Sequence, residues 1–150
     1  MKARNPSTGT LETVYVKALD SMPVGSQVEF TGNTIPAGWE EVNDYSTTEI
    51  DTGKKWIDGK KIYRKVINFG ALPNATTKEI NTDITNIDRV ISISGYAYDG
   101  SNTFIPLPHS NPNPVSLVFL KNTGKIQVQT TINRSSFTES YIILEYTKSS

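Results

Sequence analysis

The 150-residue chain contains no cysteine, a single histidine, and 15 basic residues against 15 acidic ones. The absence of cysteine excludes disulfides and zinc–thiolate sites. The net charge of zero gives no sign of bulk electrostatic binding, so we expect neither nucleic acid nor a membrane as a partner. No apolar run approaches the roughly 20 residues that span a bilayer, and residues 1–9 lack the apolar core of a signal peptide. We expect any export to use another route, such as lysis.

Alanine and leucine are also scarce, at 6 and 7 residues. This scarcity argues against a helix bundle, because these two residues favour helices. The chain instead contains 18 Thr, 15 Ile and 10 Val, which favour strands, and 12 Asn and 14 Ser, which favour turns. Its length is that of one domain with a sizeable core. Composition therefore predicts an all-β protein.

Alternating apolar and polar residues predict about eight strands in the second part of the chain. Turn residues separate the strands at intervals of roughly 8 to 15 residues, a pattern typical of an antiparallel β-sandwich. We expect a β-sandwich head, jelly-roll-like, over residues 44–150. The predicted strands are 54–57, 60–69, 76–80, 88–98, 103–107, 115–121, 125–132 and 141–147.

Three local signals refine these strands. Asp58-Gly59 between alternating runs predicts a β-hairpin, with Gly59 at positive φ in a type I′ or related turn. Four prolines in 106–114 exclude a central strand there. The segment 115–121 is apolar on both faces, which predicts a central strand buried on both sides. In 88–98, one face carries Ile91, Ile93 and Ala97.

Residues 1–43 are predicted to form a short β-rich neck. The segment 11–20 fits strand and helix periods alike, and a strand is favoured there. A second strand, over 22–31, is entered through Pro23. A Pro-Ala-Gly bend then places Trp39, and a linker rich in acids and hydroxyls, 43–52, marks the domain boundary. About 40 residues cannot close a core alone, so we expect the neck to bury its apolar side chains against symmetry-related copies.

Catalytic signals are weak. His109 lies in the proline-rich loop, where a surface role is favoured, and the Gly-x-Ser-x-Gly elbow of serine hydrolases is missing. Asp99-Gly100-Ser101-Asn102 lacks the length and closing Glu of a calcium loop, so a turn is favoured. The carboxylates that could form a catalytic pair lie in the polar linker, where solvated side chains are expected: Glu40, Glu41, Asp44, Glu49 and Asp51. We expect no enzyme, no metal and no cofactor.

A basic run is the main charge feature. Six basic residues fall within 12 positions, at Lys54, Lys55, Lys60, Lys61, Arg64 and Lys65. The favoured interpretation is a solvated hairpin face that pairs with the acidic linker. The alternative is a patch for an anionic glycopolymer such as a teichoic acid, to which Lys60 and Lys61 would add a salt-sensitive attraction. Nucleic acid is disfavoured because the run lacks an aromatic stacking platform.

Ligand contacts are expected in the irregular segments of the head, because tight turns and regular strands leave little freedom for recognition. In 96–104, tyrosines lie beside polar side chains, a combination found where sugars bind; the same stripe could instead face a core or an interface. In 106–114, prolines lower the ordering cost of binding. The predicted ligand-binding residues are Tyr98, Asp99, Asn102, His109 and Asn111.

Three segments resemble phage tail proteins. Residues 22–42 contain the P-x-G-S-x-x-x-F/Y-x-G-x-x-x-P-x-G-W pattern of tail-fibre and tail-collar proteins. Residues 45–65 resemble the TGKxWIDGKxIYRK opening of a C-terminal head module, and 144–148 match its EYTK close. This module occurs on tail-fibre and receptor-binding proteins from phages of low-GC Gram-positive bacteria. The shared residues Trp56, Asp58, Gly59 and Tyr63 are interpreted as hairpin and core determinants, and no ligand-binding residue carries over.

The resemblance implies a homotrimer at the distal tip of a virion tail, formed through the neck and one face of the head. Such tips join upstream tail or baseplate proteins and bind a host cell-wall glycan, a polysaccharide or teichoic acid, at the extracellular surface of the host without catalysis. Two alternatives stay open: a purely structural trimeric end-cap or head-fibre decoration of the virion, and a glycan depolymerase.

Overall fold

A computed structural model of the chain describes residues 2–4, 27–29, 40–41 and 43–149. These residues form eleven strands, and none of them is helical. The described part of the chain therefore has no helix that could cross a membrane. The chain divides into two compact units, Met1–Ser46 and Thr47–Ser150.

The first unit contains a small antiparallel sheet. Its strands are β1 (Lys2–Arg4), β2 (Gln27–Glu29) and β3 (Glu40–Glu41), in the order β2-β1-β3. Strand β2 lies within the strand predicted over 22–31. The strand predicted over 11–20 and the position of Trp39 lie outside the described residues.

The second unit contains eight strands in two antiparallel sheets. The larger sheet has the order β4-β5-β11-β7-β8, and the smaller has the order β6-β10-β9. This arrangement confirms the predicted all-β antiparallel β-sandwich. The strands are β4 (Ile50–Lys55), β5 (Lys61–Asn68), β6 (Thr77–Asn81), β7 (Ile87–Tyr98), β8 (Phe104–Leu107), β9 (Val115–Leu120), β10 (Lys125–Thr130) and β11 (Glu139–Lys148).

The core lies between the central strands of the two sheets. Every second residue of β11 is buried, including Ile142, Leu144 and Tyr146, and the same alternation buries Ile126 and Val128 on β10. These side chains belong to one hydrophobic cluster. Because side chains of a strand point alternately to its two faces, the residues between them face outward. The alternation that predicted these strands therefore also identifies their buried face.

Strand β9 corrects the prediction of a central strand over 115–121. It lies at the edge of the smaller sheet, where β10 is its one strand partner, and its first residue, Val115, forms an isolated bridge with His109. Val115 is buried, but Val118 points outward and is 43% exposed. The prediction was wrong because an apolar residue on the outer face was interpreted as buried, whereas β6 occupies the far side of β10 and leaves β9 at the edge.

The predicted hairpin joins β4 to β5, and Gly59 has the predicted positive φ, +84°. The turn is wider than a two-residue loop. Gly59 N–H donates to the Trp56 carbonyl, and Trp56 N–H donates to the Lys60 carbonyl. Neither Ile57 nor Asp58 has a positive φ, so the turn is not type I′. It has the pattern of a three-residue loop in which a left-handed glycine forms a bulge.

Strand β7 contains a bulge that changes which residues face inward. Its partner residues shift from Glu145↔Ser92 to Tyr146↔Val90, which leaves Ile91 as an extra residue. Ile93 lies on the predicted core-facing side, and beyond the bulge Val90 packs against the core as well. The predicted core-facing residues are therefore correct only after Ile91, because the extra residue of a bulge reverses which positions of the strand face inward.

Gly95 on β7 provides a test of the close approach of β7 and β11. A Cβ at this position would lie 2.2 Å from the Tyr141 carbonyl oxygen and 3.1 Å from the Ile142 Cα. Gly95→Ala should therefore force the two strands apart and lower the free energy of unfolding by about 1–3 kcal/mol, measured by urea denaturation.

The exposed neighbour Ser94 supplies the control. Ser94→Ala should change the free energy of unfolding by no more than about 0.5 kcal/mol. Equal denaturation midpoints for Gly95→Ala and Ser94→Ala would contradict the observed packing of β7 against β11.

Candidate functional site

Four aromatic rings cluster on the outer face of the larger sheet, where β7 turns into β8. Tyr98 and Phe104 are cross-strand partners with ring centroids 4.1 Å apart and an interplanar angle of 11°. Tyr96 and Tyr141 are partners on β7 and β11, with centroids 6.0 Å apart. Tyr96 also lies 5.8 Å from Phe104. We call these four side chains the aromatic platform.

The strand alternation explains why these rings face outward. The intervening residues Ala97, Ile105 and Ile142 are buried in the core. Phe104 is 64% exposed, while the tyrosines are half-buried. A large apolar ring exposed among other rings is the kind of surface that marks an interaction site.

A carboxylate lies at the edge of the platform. Glu139 is the partner of Tyr98 at the start of β11, and the Tyr96 hydroxyl donates to its Oε2 atom over 3.2 Å. Burial, and then this hydrogen bond, raise the pKa of Tyr96 above its ordinary value, so its hydroxyl stays protonated at neutral pH. Within residues 43–149, Glu139 forms no ion pair with a lysine or arginine. The platform therefore has a hydroxyl and an uncompensated carboxylate beside its rings.

Asp99, a predicted ligand contact, closes the turn between β7 and β8. Its Oδ1 atom accepts backbone N–H groups of Ser101, Asn102 and Thr103 at 2.9, 2.9 and 3.0 Å. These bonds, that of Thr103 above all, hold the pKa of Asp99 well below its usual range. Asp99 thus has a structural role in the turn that presents Tyr98. The Asn102 side chain is exposed at the same turn.

His109 and Asn111 lie in a different place from the other three predicted residues. They follow β8, beyond the end opposite to the Asp99 turn. The backbone of His109 pairs with Val115 through two hydrogen bonds, and Asn111 is exposed. The structure therefore brings together Tyr98, Asp99 and Asn102 but separates them from His109 and Asn111 along β8.

An arginine holds the loop that carries these two residues. The Arg134 Nη2 atom donates to the carbonyls of Pro112 and Asn113 at 3.3 and 2.9 Å. The peptide bonds Leu107–Pro108 and Asn111–Pro112 are cis. The loop is thus bonded to Arg134, and no aromatic ring of the platform belongs to it.

Sequence reasoning missed the contribution of β11 to the platform. Tyr141 and Glu139 lie about 40 residues beyond Tyr98, and no local pattern shows that β11 pairs with β7. Phe104 was within the segment predicted to bind but was not selected. Phe104 could have been found from its position opposite Tyr98 across a short turn, because such a turn brings cross-strand side chains together.

Most of the basic run is engaged in bonds within the described part of the fold. Four of its six members are engaged: Lys60 with Asp88 at 2.6 Å, Lys61 with Asp51 at 3.4 Å, Arg64 with Glu145 at 3.4 Å, and Lys65 with the Thr82 carbonyl at 2.8 Å. The bond from Lys60 lowers the pKa of Asp88. Only one of these partners, Asp51, comes from the predicted acidic linker.

Glu49 is also engaged, which corrects its interpretation as a solvated linker residue. Its carboxylate accepts from the Tyr146 hydroxyl at 2.5 Å and from Lys148 Nζ at 2.6 Å. Tyr63 stacks on Tyr146 with ring centroids 6.2 Å apart. Burial, and then Glu49, raise the pKa of Tyr146. This network joins the start of the head to its last strand and leaves none of these carboxylate and hydroxyl groups without a partner.

Neither a metal centre nor a similar protein identifies the site. The described residues contain no group of three or more His, Cys, Asp or Glu that could hold a metal ion. No protein-family model, no curated protein and no solved structure matches the chain. The geometry of the aromatic platform is therefore the basis for assigning a ligand.

The role of Asp99 leads to a pH-dependent prediction. Asp99→Ala should lower the melting temperature at pH 7, because three backbone N–H groups lose their acceptor. The folded pKa lies below that of a free aspartate, about 3.9, so the stabilisation is present above that pH and is lost as the pH falls toward the folded pKa. The difference in melting temperature between parent and variant should narrow between roughly pH 5 and pH 2.

Asn102→Ala is the matched control, because it truncates an exposed side chain of the same turn without removing the acceptor. It should melt close to the parent at every pH. A difference between parent and Asp99→Ala that stays constant over this pH range would contradict the structural role of an ionised Asp99.

Proposed function

We propose that this chain is a non-catalytic carbohydrate-binding module and that its ligand packs on the aromatic platform. The observation that carries the proposal is the exposed ring of Phe104 among three tyrosines. Aromatic rings pack against the apolar C–H face of a sugar, while a few placed polar groups bind its hydroxyls. The Tyr96 hydroxyl and the Glu139 carboxylate are such groups at the edge of the rings.

The platform is well suited to binding because the sheet holds it rigid. Its rings project from three neighbouring strands, β8, β7 and β11, and contact each other across strand pairs. Tyrosine and phenylalanine have only two side-chain torsions, which these contacts restrict further. Binding therefore requires little ordering of the protein, and a preorganised site loses less free energy on association.

The proposed setting is the tip of a phage tail fibre, where the module binds a host cell-wall glycan and joins upstream tail or baseplate proteins. The resemblance of residues 22–42, 45–65 and 144–148 to tail-fibre proteins supports it. In the head, the shared residues lie in the β4–β5 hairpin and in the C-terminal part of β11, where Tyr63 stacks on Tyr146. The platform lies outside these segments, as expected of a receptor site carried on a shared framework.

The carboxylates near the platform support binding rather than hydrolysis. Glycoside hydrolases use two carboxyl groups, one of which acts as an acid with a raised pKa. Asp99 instead has a lowered pKa, and its carboxylate is held by the turn. Among the described residues this leaves only Glu139 beside the rings, and a single carboxylate does not form the pair that these enzymes use.

We further propose that the chain is a homotrimer formed through its first unit. Met1–Ser46 is small, and its described strands are only two or three residues long. A unit of this size depends on burial against other copies or other supports. That one face of the head also joins the trimer stays a prediction.

Light scattering on the full chain at micromolar concentration tests the assembly. The expected mass is three times the 16.6 kDa of one chain. A mass equal to that of a single chain would contradict the trimer, without bearing on the platform.

Truncation of the exposed ring tests the platform. Phe104→Ala should weaken binding of the chain to cell walls of its low-GC Gram-positive host at least about tenfold, or about 1.4 kcal/mol, because a central aromatic contact is lost. Binding is measured by co-sedimentation with purified walls, and folding is checked by circular dichroism.

Ile57→Ala is the control, because Ile57 is 89% exposed on the β4–β5 hairpin at the other edge of the sheet. It should bind walls as the parent does. If Phe104→Ala also binds like the parent, the platform is not the receptor site and the structural end-cap becomes the better hypothesis.

A further inference from the structure

We infer that the platform selects neutral or amine-bearing glycans and disfavours anionic ones, and that Glu139 is the selecting residue. The inference rests on the proposed function and chooses between its two ligand classes: a neutral wall polysaccharide is expected to bind, and a phosphate-bearing teichoic acid is not. It follows from the charges that the fold places around the rings.

The first observation is that Glu139 has no cation partner among the described residues. It is exposed, and it accepts the Tyr96 hydroxyl. A phosphate packed on the neighbouring rings would lie close to this carboxylate. Two like charges at such a distance repel, and none of the four rings carries a positive charge that would offset this repulsion.

The second observation is that, among residues 47–149, no free cation lies on the outer face around the platform. Following the register from the platform, the outward residues are Ser94 on β7, Pro106 on β8, Ile143 on β11, and Asn68 and Val66 on β5. The first cation on this face is Arg64, four residues along β5 from Asn68, or about 13 Å. Arg64 already pairs with Glu145.

The third observation is that the basic run cannot serve the platform. Its residues lie on β4, on β5 and in the turn between them, at the other edge of the five-stranded sheet from β8. Lys60 and Lys61 are paired with Asp88 and Asp51. A polymer that bound these lysines would therefore be bound away from the rings.

Glu139→Gln isolates the charge, because glutamine keeps an oxygen that can accept the Tyr96 hydroxyl. Two probes are used: host walls stripped of phosphodiester-linked polymers by hydrofluoric acid, and poly(glycerol phosphate). The parent should bind stripped walls as well as untreated ones, within about twofold, and should bind poly(glycerol phosphate) weakly. Glu139→Gln should keep its binding to stripped walls and gain about two- to fivefold for poly(glycerol phosphate), the range of one exposed charge pair.

Asp83→Asn, at an exposed position just after β6 of the smaller sheet, is the matched control and should leave both affinities unchanged, because no described cation pairs with Asp83. The inference is overturned if stripping the walls abolishes binding that Phe104→Ala also abolishes, because the platform then binds an anionic polymer. It is also overturned if Glu139→Gln and Asp83→Asn behave alike toward poly(glycerol phosphate). If Phe104→Ala binds every wall sample as the parent does, the proposed function itself fails, and that outcome is distinct from the other two.

Discussion

The double pairing of β11 is the constraint on which the rest of the head depends. This strand bonds to β5 on one side and β7 on the other, and its inward residues Ser140, Ile142, Leu144 and Tyr146 are completely buried. Because the strand is central and alternates, its outward residues lie in the middle of the opposite surface. The same ten residues therefore close the core and place Tyr141 and Glu139 beside the tyrosines of β7. Core and candidate site are therefore built on two faces of one strand.

Much of the fold could be predicted from local patterns. Alternation located the strands because one face of each is buried, and Asp58-Gly59 located the hairpin because only glycine adopts the required φ easily. What failed were properties set by distant partners. The apolar run 115–121 looks central, yet it becomes the edge strand β9 because β6 takes the other side of β10. The turn type also differed, since it depends on where Trp56 and Lys60 begin to pair.

In the candidate site, too, the features formed by sequence neighbours could be predicted and those formed by distant strands could not. The segment 96–104, which is predicted to contact a ligand, supplies three of the four rings of the platform, and those three are neighbours across one short turn. The fourth ring and the carboxylate could not be predicted, because they require the register of β11 on β7. Asp99 was predicted as a ligand contact, although an aspartate followed by Gly-Ser-Asn also suits a turn closed by its own side chain. His109 was grouped with it only because both segments are irregular.

Charge gives the clearest difference between a linear pattern and a folded surface. Along the sequence, six basic residues in 12 positions suggest a site for an anionic polymer. In the fold, most of them are paired with acids or carbonyls, and the charge beside the rings, on Glu139, is negative. Because Asp99 closes the β7–β8 turn through backbone donors, the turn does not depend on the rings. Ring identity and the charge at position 139 could therefore change by substitution without loss of the turn, as the proposed receptor-binding surface would require.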